Sequence, residues 1–145
     1  MYKRAGIVGM AALFCVSATA ASAADIVVSS GWFRALPSGQ PAGGYFTMRN
    51  NGGAPAELVA ASSTACGMLM LHQSVESSGT SRMMDVKSVS VPAGGTVAFA
   101  PGGYHLMCMD PSPAMAPGKS VPVMLVFSDG SKASADFAVK NASGR

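Results

Sequence analysis

Across the 145 − 23 = 122 residues that follow Ala23, no segment sustains a helical apolar period for even about ten residues. Short apolar or alternating runs recur instead, each closed by a turn cluster, and this is how β-strands read. The runs are 26-IVVSSGWFRA-35, 44-GYFTMRN-50, 56-AELVAAS-62, 68-MLMLHQSV-75 and 83-MMDVKSV-89. They continue with 96-TVAFA-100, 104-YHLMCM-109, 121-VPVMLVFS-128 and 133-ASADFAV-139. Between them lie PSGQPAGG, NNGGAP, ESSGTS, PAGG, PGG, PSPAMAPGKS and SDGS, rich in Gly, Pro, Asn, Asp and Ser. Many short strands at roughly ten-residue spacing predict an all-β, antiparallel sandwich or barrel. The length suits one domain with one core, and there is no internal repeat or linker. The glycines of PAGG and PGG read as turn geometry, and the tail NASGR as a frayed end.

The chain opens MYKR and then runs uncharged through GIVGMAALFCVSATAASA to Ala24. A positive start, an apolar stretch and the small-residue triplet Ala21, Ser22 and Ala23 make a secretory signal peptide over 1–23, ahead of a domain over 24–145. The competing reading is an uncleaved anchor, since 24 − 4 = 20 uncharged residues barely suffice to span a bilayer. Gly, Ser and Thr within the run argue for cleavage, with no membrane insertion afterwards. Phe14 before Cys15 argues against lipidation, where a small residue is wanted. Losing Lys3 and Arg4 takes the net charge from +3 to about +1. Such a surface offers no electrostatic case for nucleic acid or anionic membrane.

Two cysteines remain beyond the signal, Cys66 and Cys108, enough for one disulfide in an oxidising compartment. Methionine is the unusual residue. Nine follow the signal, and all but Met48 fall between Met68 and Met124. Both histidines, His72 and His105, lie in that interval, in the spacing H-x10-M-x21-H-x-M with Met83 and Met107. In a strand, residues two apart share a face, so His105 and Met107 project together while Leu106 and Cys108 point the other way. Met83 follows the polar ESSGTSR segment, which lets a loop or strand start carry it over the same end of the sandwich. Two imidazoles and two thioethers form a neutral, soft donor set that favours Cu(I). Structural zinc would take thiolate, and Ca²⁺ or Mg²⁺ would take oxygen. Taken singly, each methionine reads as core filler and His72 as a surface residue. The force lies in the four-residue spacing.

That spacing resembles the motif of the periplasmic copper chaperones of the PCu(A)C type. GWFRALPSGQPAGGYFTMRNNGG resembles the opening of that family, VSVPAGGTVAFAPGGYHLMCM its central block and VPVMLVFSDGS its closing hairpin. The resemblance implies a cupredoxin-like β-sandwich, monomeric and periplasmic, that binds Cu(I), with Cu(II) left open, and has no catalytic turnover. It implies delivery of copper to the CuA centre of cytochrome c oxidase, sometimes beside a Sco-type partner. The implied ligands are His72, Met83, His105 and Met107. Met70, Met84 and Met109 are substitute thioethers that the spacing does not exclude. The chain ends KNASGR, without the His- and Met-rich tail by which some relatives bind additional copper.

Cys108 stands where the family has an ordinary apolar residue, and it is read as a small buried hydrophobe rather than a ligand or half of a disulfide. Trp32 and Tyr45 are expected to anchor the core, and Arg34 to be a structural ion-pair partner. A second function class is an electron-transfer cupredoxin using Cys108 with the two histidines and an axial Met107. A regular strand opposes it, because Cys108 lies an odd number of positions from His105. A third is a metal-free sandwich with a methionine-rich core. No GxxxxGK[ST] loop supports nucleotide binding, and both histidines are better used elsewhere than beside a nucleophilic serine.

Overall fold

The computed structural model describes residues 23–145; the expected signal segment, apart from Ala23, lies outside them. Ten strands follow one another: β1 (Ile26–Arg34), β2 (Ala42–Asn50), β3 (Ala56–Ser62), β4 (Cys66–Ser77) and β5 (Thr80–Asp85). Then come β6 (Val89–Val91), β7 (Thr96–Phe99), β8 (Tyr104–Pro111), β9 (Ser120–Phe127) and β10 (Lys132–Lys140). They form one continuous ladder, β5-β4-β8-β2-β1-β10-β9-β3-β6, with β7 added to β2. The ladder folds over on itself. Asn50, at the end of β2, is fully buried and donates from Nδ2 to the Val91 carbonyl of β6 at 3.1 Å, although β6 is last in the ladder. A second bond to the Ala54 carbonyl at 2.8 Å, and a bond that Asn50 Oδ1 accepts from the Gly52 amide, satisfy the remainder of this amide.

The alternation in the sequence sets which residues enter the core. In β9, Val121, Val123, Leu125 and Phe127 are buried while Ser120, Pro122 and Met124 are exposed. Every strand except β5 contributes a buried side chain to the core. An aromatic line crosses its middle, with Phe46 at 4.5 Å from Phe99 and 5.4 Å from Phe137, and Phe33 at 5.5 Å from Phe137. Gly31 sits at a bulge in β1, where the register against β2 shifts between Ser29 and Trp32. A Cβ there would come within 2.4 Å of the Phe137 ring, so only glycine lets that ring seat.

The all-β sandwich agrees with the sequence reading, with three corrections. First, β1 and β10 pair in parallel through Trp32, Phe33 and Arg34, whereas the other pairings are antiparallel. These strands lie at opposite ends of the sequence, so no hairpin dictates their relative direction. Second, the single run expected over 83–89 is two strands. β5 pairs with β4 near one end of the ladder, and β6 pairs with β3 at the other. The break falls at Val86–Ser88, which carries neither Gly nor Pro and gave no turn signal.

Third, Cys66 and Cys108 are joined in a disulfide, with Cα atoms 5.4 Å apart. Cys108 is fully buried, as expected, but it is half of a bridge rather than a free hydrophobe. The bridge ties β4 to β8, the two strands that carry the histidines. Its formation needed the spatial adjacency of β4 and β8, which the turn signals do not specify.

Candidate metal centre

The β4–β8 register is unbroken from Met68 to Gln73. It sets His72 opposite His105, Leu71 opposite Leu106, Met70 opposite Met107, Leu69 opposite Cys108 and Met68 opposite Met109. Alternation sorts these pairs. Leu69, Leu71, Leu106 and Cys108 point into the core and are buried. The histidine and methionine pairs therefore share the other face. The two imidazoles stand edge to face with centroids 5.7 Å apart. His105 is 4 % exposed, and the His72 side chain 14 %.

The segment ESSGTSR, expected as a loop, is the tip of a tight hairpin. Ser78 and Gly79 both have positive φ (52° and 77°), the backbone of a two-residue turn of the primed kind. Met83 consequently lies within β5, opposite Ser74, on the face that bears His72. All six residues of β5 are exposed, and Met83 is 62 % exposed. Asp85, opposite His72, brings Oδ1 to 2.8 Å from His72 Nε2.

Beside this face an open groove of about 410 Å³ is lined by Arg34, Gly43, Tyr45, Met83, His105 and Met107, among others. Gly43 faces Met107 from β2 and leaves space that a side chain would contest, since a Cβ there would lie 2.8 Å from the Tyr45 hydroxyl. Trp32 and Tyr45 are half-buried cross-strand partners with rings 4.8 Å apart, and are not the core anchors expected. Arg34 lies 5.5 Å and 5.7 Å from their ring centroids, and Lys140 Nζ 4.8 Å from that of Trp32. Arg34 is thus held by aromatic faces, in place of the expected ion pair.

The histidine nitrogens are poised for a ligand. His105 Nδ1 lies 3.2 Å from the Gly103 carbonyl, an acceptor only, so this nitrogen carries the proton and Nε2 presents its lone pair. His105 Nε2 is buried without a hydrogen-bond partner, and neither ring nitrogen of His72 has one. The His72–Asp85 approach is an ion-pair distance without hydrogen-bond geometry. Buried polar atoms left in this way are costly, about 1–3 kcal/mol each, and call for an explanation. Among the described residues, no three of His, Cys, Asp or Glu come together, so a multidentate site here has to draw on thioethers.

Burial holds the His105 pKa below its ordinary 6.5, and the neighbouring His72 adds to this, while the Gly103 carbonyl acts in the opposite sense. The unfolded chain therefore takes up this proton before the folded one as pH falls. The stability contribution of neutral His105 is complete above pH 6.5 and is lost as pH descends through the lower folded value. Urea midpoints measured from about pH 8 to about pH 5 should fall towards acid, and less steeply in His105→Ala. Parallel profiles for the two proteins would show that another group is responsible.

Of the residues singled out from the sequence, His72, His105 and Met107 lie on one face, with Met83 on its edge strand. Cys108 points to the opposite side and is bonded to Cys66, so it has no thiolate to offer a metal. This removes the electron-transfer arrangement that depends on it. The sequence reading missed Asp85 and the Trp32–Tyr45–Arg34 stack. The i, i+2 spacing of Trp32 and Arg34 placed those two on one face but not which face.

The family model described as "Putative lipoprotein LpqE-like" matches residues 26–139. Lxx21020 of Leifsonia xyli subsp. xyli, which bears the same lipoprotein label, is 37 % identical over 142 residues, 96 % of this chain and 85 % of its own length. The copper-bound PCuAC domain from PmoF2 superposes with a TM-score of 0.67 at 24 % identity, over 81 % of this chain and 93 % of that domain. The CuI form of DR1885 from Deinococcus radiodurans superposes with a TM-score of 0.63 at 27 % identity, over 79 % of this chain and 76 % of that one. The cupredoxin-like fold implied by the sequence motif is the fold of these domains. Family match, identity and superposition agree over the whole sandwich, and the chain belongs to the LpqE-like family, with the fold of the PCuAC domain.

Proposed function

We propose that this protein is an exported Cu(I) metallochaperone that carries its cargo between His72, His105, Met107 and Met83. The observation that carries this reading is the cross-strand pair His72 and His105, in which His105 Nε2 and both ring nitrogens of His72 are shielded from solvent without a hydrogen-bond partner, beside same-face thioethers. Imidazole and thioether are neutral and soft, and together they suit Cu(I) without the electrostatic grip of thiolate. The Gly103 carbonyl orients His105, as outer-shell acceptors do for metal-bound imidazoles.

Release follows from exposure. Met83, on an edge strand with no buried residue, is the ligand that a partner reaches first. An acceptor with thiolates displaces it, shares the ion and then takes it, with no covalent chemistry in the chaperone. The copper-bearing relatives of the same fold support this cargo. The recipient is a CuA-bearing subunit of cytochrome c oxidase or a Sco-type protein, met in the periplasm after signal cleavage near Ala23, and the chaperone acts as a monomer.

Anaerobic titration of the purified protein with Cu(I) against a colorimetric chelator, followed by copper-edge X-ray absorption, tests the cargo. A colourless Cu(I) adduct with mixed nitrogen and thioether coordination is expected. Absence of chelator-resistant Cu(I), or an oxygen-dominated spectrum, would sink this reading.

A further inference from the structure

We propose that the face carrying the histidine pair continues into a second soft-cation site, formed by the thioethers of Met68, Met70 and Met109. The register sets three consecutive same-face pairs in line: His72 with His105, Met70 with Met107, and Met68 with Met109. Every one of these six side chains is a soft or borderline donor. Directly opposed Cβ atoms lie about 4.5–5.5 Å apart and diagonal ones about 7–8 Å, within reach of a side chain with three rotatable bonds.

Packing does not account for these sulfurs. The core side of the same strands is already filled by Leu69, Leu71, Leu106 and Cys108. Met68 is 58 % exposed, and Met70 and Met109 are only half-buried. Strand positions favour β-branched and aromatic residues, and methionine on a solvent-facing strand gains little. Exposed thioethers in register are useful for a soft monovalent cation, Cu(I) or Ag(I), and offer nothing to Ca²⁺, Mg²⁺ or zinc.

The ladder shares no ligand with the set of His72, Met83, His105 and Met107, so the two sites stand or fall separately. The second site leaves a soft holding point next to the histidine pair.

Titration of the ¹³C-methyl-methionine protein with Ag(I), a redox-inert stand-in for Cu(I), tests this. The ε-methyl signals of Met68, Met70 and Met109 should move together as a second equivalent binds. The Met68→Leu/Met70→Leu/Met109→Leu variant keeps side-chain volume and should bind one equivalent fewer, with Met83 and Met107 still responding. Unmoved signals from Met68, Met70 and Met109 in the native protein, while Met83 and Met107 shift, would overturn the site. So would a triple variant that takes up as many equivalents as wild type. Failure of the histidine-centred site has its own signature, in that His72→Ala/His105→Ala would leave the Met83 and Met107 responses unchanged.

Discussion

Replacing Cys66 and Cys108 together by alanine is expected to lower the free energy of unfolding by about 4 kcal/mol. The two residues are separated by 42 positions, and in the chain-entropy account closing a loop of that length removes about this much freedom from the unfolded state. For a single domain whose whole stability is about 5–15 kcal/mol, a loss of that size is large. Urea unfolding followed by circular dichroism measures it, as does unfolding of the wild-type protein with and without reductant. The folded variant should still bind Cu(I). Six backbone register pairs from Met68 to Gln73 hold β4 against β8 without the bridge, so the histidines remain opposite one another. Coincident midpoints for the bridged and unbridged proteins would mean that the disulfide adds nothing to the fold. Lost Cu(I) binding in a folded variant would mean that the bridge shapes the site.

His105→Ala is expected to lower Cu(I) affinity by more than about 100-fold, the upper end of what removing an outer-shell partner costs, because a direct donor is lost. The fold should tolerate it. Removing a 4 %-exposed ring leaves a cavity, but it also removes a buried Nε2 that has no hydrogen-bond partner and costs about 1–3 kcal/mol. The two effects oppose each other, so the metal-free variant should unfold near the wild-type midpoint. Cu(I) separates the proteins. With free Cu(I) at about a thousand times the wild-type dissociation constant, the wild type gains about 4 kcal/mol, and a variant weakened by more than about 100-fold should gain less than about 1.4 kcal/mol. Met107→Leu, which keeps the side-chain volume, should fail in the same direction while its metal-free fold is untouched. A variant of either kind that keeps wild-type affinity in chelator competition would show that the ion is held elsewhere.

Much of this protein is legible in its residues because β-structure has a period of two. Runs such as VPVMLVF announce which side chains enter the core, and H-x-M in 104-YHLMCM-109 places an imidazole and a thioether on one face before any neighbour is known. Turn chemistry supplied most boundaries, and failed where it was absent, at Val86–Ser88. The tip at Ser78–Gly79 was legible as a turn, but not as one tight enough to start the strand at Thr80, ahead of the run expected from Met83.

The sequence by itself determined an all-β chain, its core alternation, and a set of two imidazoles and two thioethers at a family-like spacing. Those properties are local, fixed by side-chain chemistry and by the pleat. Tertiary structure alone decided what lies beside what: His72 against His105, Met70 against Met107, Cys66 bonded to Cys108, β1 parallel to β10, and Trp32 and Tyr45 outside the core. Strand order depends on which hydrophobic faces find each other after collapse, and pairings between β4 and β8 join residues more than thirty positions apart. No period in the text encodes that distance, because the ladder is closed by the packing of the whole sandwich rather than by any one segment.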